Sequence, residues 1–220
     1  MDVTLSRKYE SPRQLARQDE ILRCARTILQ SKGYAGLTMR SLARKAQVAP
    51  ATLYNLYGSK DDLIVAAVED LFIKLAARAE DLGEQGIPAV LQLNKLSAQQ
   101  IKATPNVTEA MARALFGSKP SDTPLEALFA PGYGFIRKQL AYAKSKGDIL
   151  PQTDTDVIAK HLVGQGWGMV LLWMMGMFTI EASYEERMRS QLMTLVSVSR
   201  GRMKEELEAE LDAIGWKDSD

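Results

Sequence analysis

Two short helical segments joined by a tight connection lie between residues 38 and 58 of the chain. Thr38 has the side chain of an N-cap, and the segment Met39 to Ala46 places apolar residues at helical spacing. The connection leads to Pro50, which suits the first position of a helix, and Gly58 ends the second segment. Two short helices joined in this way have the dimensions of a helix-turn-helix.

A longer helix is predicted before this pair and another after it. From Arg13 to Lys32 apolar residues recur at helical spacing, and Gly33 supplies a C-terminal stop. Ser59 has the side chain of an N-cap, and Asp62 stands at the capping-box position of a helix that runs to about Asp81. The first three of these helices are predicted to form a small N-terminal domain.

Charge is distributed unevenly along the chain. Residues 1–60 contain 11 Lys and Arg against 4 Asp and Glu, whereas the remainder contains 17 against 23. A basic N-terminal quarter on an acidic body is the electrostatic pattern of a protein that binds nucleic-acid phosphates. Charge alone leaves open the alternative of a solvated helix face with surplus arginine.

The outward residues of the second short helix have the chemistry of base and phosphate contacts. Asn55 can pair in a bidentate manner with adenine, and Thr52 can touch a thymine methyl group or a phosphate. Tyr54 can reach a phosphate oxygen. This helix is therefore predicted to enter the major groove of double-stranded DNA.

The stretch from Ile21 to Phe72 resembles the DNA-binding region of the tetracycline-repressor (TetR) family. The motifs that carry the resemblance are Gly33-Tyr34, Leu37 to Ala43, Val48, and Thr52 to Leu63. A helix with the pattern L-Y-x-x-aromatic followed by x-S-K-x-x-L is much rarer by chance than either part alone.

The resemblance implies a role for each DNA-contacting side chain. The implied roles are phosphate contacts by Thr38 and Arg40, groove contacts by Thr52, Tyr54 and Asn55, and anchoring of the DNA backbone by Tyr57 and Lys60. The chain departs from the family at two positions in the turn, where Gln47 replaces a common Gly and Ala49 replaces a common Ser. The turn is therefore expected to lack its usual flexible residue and its side-chain cap.

Beyond the fourth helix, Gly and Pro breakers divide the chain into segments of helical length without the alternation typical of strands. The helices predicted there are Ala89 to Ala103, Asn106 to Phe116, Leu125 to Lys146 with a bend or restart at Pro131-Gly132, Leu162 to Ile180, and Tyr184 to about Ala213. The fold class predicted is all-α, with about nine helices. The helix-turn-helix domain is assigned to residues 1–60, and a ligand-binding and dimerisation domain to 61–220.

The segment Leu162 to Ile180 has 19 residues without a charge, which meets a crude criterion for a membrane span. Its four glycines, its marginal length and its flanks without a Lys/Arg cluster argue against a membrane anchor. A helix that is apolar all round suits the centre of a large core equally well. The family resemblance implies that the last two long helices form a homodimer interface, and this accounts for the apolar run without a membrane.

By the same resemblance, a small-molecule effector binds among the middle helices, in contact with the fourth. The candidate ligand-binding residues are Phe72, Met111, Leu115, Phe116, Phe129, Tyr133, His161, Gln165, Trp167 and Met169. Met and aromatic side chains at helical spacing are also what any core needs, and this favours plain core over ligand contact for each of them. A Met- and aromatic-rich interior favours a largely apolar ligand.

The residue types present offer little for catalysis. The chain has one His and one Cys, and it lacks the common nucleotide-binding, metalloprotease and nucleophile-elbow motifs. No cofactor and no metal site is predicted. The sequence predicts a cytoplasmic repressor released from its operator by a ligand, with an activator or a membrane-tethered DNA-binding protein as alternatives.

Overall fold

The computed structural model describes residues 11–116 and 125–215, and for residues 115–116 and 125–131 it describes the helix but not the side chains. Helices make up the elements of this part of the chain, together with one isolated β-bridge. They are α1 (Pro12–Gly36), α2 (Met39–Lys45), α3 (Pro50–Tyr57), α4 (Lys60–Asp81), α5 (Ile87–Ala103), α6 (Pro105–Phe116), α7 (Leu125–Lys146), α8 (Thr155–Met174), α9 (Ile180–Val198) and α10 (Gly201–Ala213). The predicted all-α fold class is confirmed.

The chain divides into two compact units. Unit 1 comprises Met1–Phe72 and Ala103–Phe129, and unit 2 comprises Ile73–Lys102 and Ala130–Asp220. Unit 1 therefore contains α6 in addition to the three predicted N-terminal helices and the first part of α4.

The core of unit 1 is a continuous apolar cluster. It consists of the inward faces of α1 to α4 and one face of α6, represented by Ile21, Leu29, Leu42, Leu53, Leu63, Val107 and Ala110. Burial of one stripe on each helix is what the predicted helical spacing requires. The three N-terminal helices, α1 to α3, thus pack against α4 and α6.

Two backbone positions shape the connections of unit 1. Gly33 interrupts α1 with a φ of 63° and a ψ of −173°, a conformation open to glycine, and this confirms the predicted stop. In the turn between α2 and α3, Gln47 adopts a φ of 53°. Ala49 is the N-cap residue of α3 and makes no side-chain capping bond. Both expected departures of the turn are therefore present.

Predicted caps are also found at the other two helices of this region. Thr38 caps α2, and its Oγ1 accepts a hydrogen bond from the Ser41 N–H at 3.0 Å. Before α4, the Ser59 Oγ accepts from the Asp62 N–H at 3.1 Å and donates to the Asp62 carboxylate at 2.6 Å. Both boundaries follow from local side-chain chemistry.

In unit 2 the helix that contains the long apolar run begins and ends earlier in the chain than predicted. Helix α8 begins after Asp154, whose carboxylate accepts from two N–H groups of the first turn, and it ends at Met174. The prediction of a helix as far as Ile180 is wrong, because the chain turns at Gly176, with a φ of 75°, before Thr179 caps α9. No helix within the described ranges is long and apolar enough to cross a membrane.

The predicted single helix from Tyr184 to Ala213 is also wrong, because it breaks into α9 and α10. At the break, Ser199 forms an isolated antiparallel bridge with Ile149. The Leu150 N–H donates to the Val198 carbonyl and the Arg200 N–H donates to the Asp148 carbonyl, both at 2.9 Å. These bonds replace helical ones and hold the backbone extended. By contrast, α7 is one helix from Leu125 to Lys146, including Pro131-Gly132, where the sequence predicted a bend or restart.

Candidate nucleic-acid interface and ligand cleft

Helix α3 presents two different faces. Leu53 is fully buried in the unit 1 core, whereas Tyr54 is 54% exposed and Asn55 is exposed beside it. Thr52 is half-buried. Leu56, which the sequence interpretation did not select, is 44% exposed on the same short helix. The exposed Tyr54, Asn55 and Leu56 thus supply an aromatic, an amide and an apolar side chain, and such a surface is suited to contact with base edges.

Helix α2, which precedes α3 in the chain, carries exposed cationic side chains. Arg40, Arg44 and Lys45 are all exposed, and Thr38 is exposed at the cap. Arg40 has no hydrogen-bond or ion-pair partner among the residues that the structure describes. Its guanidinium is therefore available for a phosphate, in keeping with the predicted role.

Lys60 has intramolecular partners. Its Nζ donates to the Tyr34 carbonyl at 2.6 Å and lies 3.6 Å from the centroid of the Tyr34 ring. Partial burial lowers the pKa of Lys60. The Tyr34 hydroxyl in turn donates to the Asp61 carboxylate at 2.7 Å, and this bond raises the pKa of Tyr34. These contacts fasten the end of α1 to the start of α4.

Tyr57 occupies the end of α3. It is half-buried and packs against the unit 1 core together with Tyr34 and Val48. Its ring therefore helps to position the end of the helix.

An ion pair joins α1 to α4 inside unit 1. The Arg26 guanidinium donates to the Asp70 carboxylate at 2.8 Å and to the Ala67 carbonyl at 2.9 Å. The Asp70 side chain is 5% exposed and that of Arg26 is 18% exposed. A largely buried pair with an additional backbone bond holds the two helices in one geometry.

Unit 2 contains a cleft between α5, α8 and α9. Its volume is about 300 Å³, including the part that opens to solvent. Met169, Val170 and Trp173 of α8 supply an apolar wall. The residues of α5 and α9 that line it are Ala98, Ile101, Lys102, Ile180, Ser183, Tyr184 and Arg187.

Arg187 is the most unusual side chain in the cleft. It is 7% exposed, and its Nη2 donates to the Asn94 carbonyl at 3.0 Å. Its buried Nε has no hydrogen-bond partner within the described residues. Burial lowers the pKa of Arg187 to about 10, so the guanidinium remains charged at neutral pH.

Comparison with known proteins tests the family resemblance. Residues 21–67 match the model for bacterial regulatory proteins of the tetR family. Over these residues the chain is similar to the TetR family. The matched region extends from the first buried residue of α1 into α4, and it therefore contains α2 and α3 whole, with parts of α1 and α4.

Among curated relatives of this chain is the HTH-type transcriptional repressor KstR of Mycobacterium tuberculosis. The two are 33% identical over 107 residues, which are 47% of this chain and 49% of that protein. KstR of Rhodococcus jostii is 25% identical over 162 residues, 73% of this chain and 74% of that protein. The chain spans about half the length of the first of these relatives.

Solved structures share the fold. A TetR transcriptional regulator from Rhodococcus sp. RHA1 covers 85% of this chain with a TM-score of 0.68 and 21% identity, and all of that structure is matched. FadR of Thermus thermophilus, a TetR-family repressor in complex with lauroyl-CoA, covers 80% of this chain and 93% of its own, with a TM-score of 0.65 and 18% identity. These matches extend over both units of the chain.

The predicted ligand-binding residues are divided between the two units. Phe72 and Met111 belong to unit 1, whereas Tyr133, His161, Gln165, Trp167 and Met169 belong to unit 2. Met169 is the member that lines the cleft. The side chains of Leu115, Phe116 and Phe129 lie outside the described residues.

Several of the remaining candidates have other surroundings. The Tyr133 hydroxyl donates to the Asp156 carboxylate, and the Gln165 amide donates to the Thr194 hydroxyl at 2.8 Å. His161 is exposed, and Trp167 is buried. Their roles in ligand binding remain predictions.

The sequence interpretation missed Lys102, Ser183, Tyr184 and Arg187. A signal was present, because Ser183, Arg187 and Gln191 are spaced four residues apart and therefore share one helix face. All three are buried. A buried polar row beside the apolar row of the same helix indicates a site or a polar network.

Proposed function

We propose that this TetR-family chain is a sequence-specific DNA-binding regulator, a repressor that a small, largely apolar ligand releases from its operator. The observation that carries the proposal is the exposed face of α3, where Tyr54 and Asn55 project from a helix anchored by the buried Leu53. The exposed Arg40 and the Thr38 cap on α2 support it as phosphate contacts. The KstR relatives are transcriptional repressors.

The proposed division of labour follows the two predicted domains. Residues 1–60 bind double-stranded DNA through Thr38, Arg40 and the α3 face, while Tyr57 and Lys60 act chiefly by fixing the ends of α3 and α4. Residues 61–220 bind the effector and dimerise through the last two long segments, which are α8 and α9 with α10. A dimer would place two recognition helices about one DNA turn apart.

The proposed switch is a shift in population between two dimer states. Ligand would favour a position of α4 that changes the spacing of the two recognition helices. The helix supplies residues to both units, so it is a continuous element through which such a change could pass. A ligand that binds both states equally would leave DNA affinity unchanged.

The DNA-binding part is tested by fluorescence anisotropy with DNA from upstream of the protein's own gene and unrelated DNA as competitor. We expect tight, salt-sensitive and competitor-resistant binding that the double variant Tyr54→Ala with Asn55→Ala loses. A matched control is Tyr142→Ala with Gln99→Ala, which removes an exposed tyrosine and an exposed amide from unit 2. Equal loss in both double variants would contradict the assignment of the interface to α3.

Salt dependence separates phosphate contacts from positioning residues. Arg40→Ala should reduce the slope of log K against log salt by about one, because one phosphate contact and its counterion release are lost. Lys60→Met should weaken binding and lower the stability of unit 1 while leaving the slope unchanged, since its ammonium is held by Tyr34. A slope reduced equally by both changes would assign Lys60 to a phosphate.

A further inference from the structure

Ser183, Arg187 and Gln191 form a row of buried polar side chains on α9, and Arg187 alone among these three has a buried N–H group without a partner in the described ranges. Ser183 donates to the Ile180 carbonyl at 2.9 Å, and Gln191 donates to the Leu162 carbonyl at 2.9 Å. Arg187, between them, has five N–H donors, and within the described residues its guanidinium donates one hydrogen bond, to the Asn94 carbonyl. Its Nε is buried without a partner in the described part of the chain.

The charge of Arg187 is also uncompensated. The described residues place no carboxylate within ion-pair distance of its guanidinium. Two residues further along α9, Arg189 pairs with Glu186 at 2.7 Å. A buried cation without an anion is strongly unfavourable, because it loses hydration and gains no ion pair in return. An anion that enters the cleft would remove this penalty.

The cleft around Arg187 has two chemical halves. Lys102 and Tyr184 lie on the polar side, with the Lys102 Nζ 5.0 Å from the centroid of the Tyr184 ring. The opposite side is apolar and includes Trp173 and Met169. A ligand that satisfies both halves carries an anionic head and an apolar tail.

Gly166 leaves room beside the guanidinium. A Cβ at this position would lie 3.8 Å from the Arg187 Cδ and 4.0 Å from its Nη1. A larger side chain there would fill the space next to the charged group.

We propose that this cleft binds a small molecule with a carboxylate head and an apolar tail, and that the carboxylate forms a bidentate pair with the Arg187 guanidinium. The planar fork of the guanidinium matches a carboxylate, and one unpaired cation matches one negative charge. Lys102 adds a second, more exposed cation at the polar side. This inference rests on the proposed ligand-responsive function and names the class of its effector.

The test is isothermal titration calorimetry on the full chain with decanoate, 1-decanol and inorganic phosphate as probes. All are used below the concentration at which decanoate forms micelles. We expect decanoate to bind at least tenfold more tightly than decanol, which shares the tail without the charge, and more tightly than phosphate, which lacks the tail. Equal affinities for decanoate and decanol, or a preference for phosphate, would overturn the proposal.

Variants on one helix locate the head group. Arg187→Met should abolish the preference for decanoate over decanol, whereas Arg189→Met, which removes the same charge from the same helix, should retain it. If Arg187→Met does not fold, Gly166→Leu tests the same point, because it blocks the space beside an intact guanidinium and should weaken decanoate binding at least tenfold. Undiminished decanoate binding in Arg187→Met or Gly166→Leu would place the ligand elsewhere.

The DNA-binding assay separates failure of this inference from failure of the proposed function. Decanoate that binds through Arg187 without changing operator affinity would support the cleft and contradict the switch. An operator-binding protein that ignores decanoate would support the regulator and contradict the carboxylate ligand.

Discussion

Gln47 holds a backbone conformation that suits glycine better than any residue with a side chain. Its φ of 53° lies in the left-handed region, which costs a non-glycine residue about 1–2 kcal/mol. Glycine would remove this strain and lose about 0.5–1 kcal/mol through its greater freedom in the unfolded chain. Gln47→Gly should therefore raise the free energy of unfolding by roughly 0.5–1 kcal/mol, measured by urea denaturation followed by circular dichroism.

A matched control uses the same substitution at an exposed loop position. Gln85 is exposed and its φ is not positive, so Gln85→Gly should lower stability slightly. If Gln47→Gly lowers stability as much as Gln85→Gly, the turn is not strained at residue 47.

Ala49 leaves the first turn of α3 without a side-chain cap. A serine there would accept a hydrogen bond from a free N–H of the first turn, so Ala49→Ser should increase the free energy of unfolding by about 1 kcal/mol. Ala51→Ser, two residues later on the exposed side of α3, provides no cap and should be neutral or slightly destabilising. Equal thermal shifts for the two variants would argue against capping as the cause.

Single residues show how far local chemistry can be predicted from sequence. Thr38 and Ser59 were predictable as caps because capping depends on side chains within three residues. The partners of Lys60 were not, since Tyr34 lies 26 positions earlier and reaches Lys60 only after Gly33 redirects the chain. A motif thus predicts which residue type is present but not which partner holds it.

Among pairs of elements, α1 and α4 are joined by the Arg26–Asp70 ion pair. Asp70→Ala removes the acceptor from a largely buried guanidinium and should lower the free energy of unfolding by about 3 kcal/mol. The control is Glu206→Ala, whose partner Arg202 has a side chain 89% exposed, and this change should alter stability by about 0.5 kcal/mol or less. Urea denaturation of the two variants checks the difference, and equal effects would contradict a buried role for Asp70.

Elements were predicted well where their boundaries depend on local signals. Helices α2 and α3 and the course of α4 follow from caps, Pro50 and Gly58. The break between α9 and α10 was missed because its cause is the bridge of Ser199 to Ile149, about fifty positions earlier in the chain. Periodicity also placed the end of α8 too late in the chain. Met175 and Met177 continue the apolar pattern, yet they are 66% and 62% exposed and follow the end of the helix at Met174.

At the scale of the whole molecule, the structure divides the chain differently from the sequence. The sequence places a boundary at residue 60, whereas unit 1 also includes α6, whose Val107, Ala110 and Ala114 belong to the same core as α1 to α4. Two hydrogen bonds add to this packing, from Gln30 to the Ala103 carbonyl and from Asn106 to the Gln30 carbonyl. The apolar pattern of α6 does not show which helices it packs against, because the hydrophobic effect is not directional.

The packing of α6 carries a prediction for the DNA-binding unit. Ala110 is fully buried in the unit 1 core, so Ala110→Glu places an unpaired carboxylate there and should lower both stability and DNA affinity. Arg113→Glu, on the exposed side of α6, should leave the thermal midpoint nearly unchanged. Full DNA affinity and stability in Ala110→Glu would show that α6 does not support this unit.

The central claim is that the chain binds a specific DNA sequence as a symmetric dimer. The most direct test is selection from a random-sequence DNA library with the full-length protein, followed by sequencing of the bound fraction and competition with unrelated DNA. The account predicts enrichment of a two-fold symmetric site whose half-sites lie about one helical turn apart, and loss of enrichment in the Tyr54→Ala with Asn55→Ala variant. Absence of any enriched sequence, or equal enrichment with the variant, would contradict it.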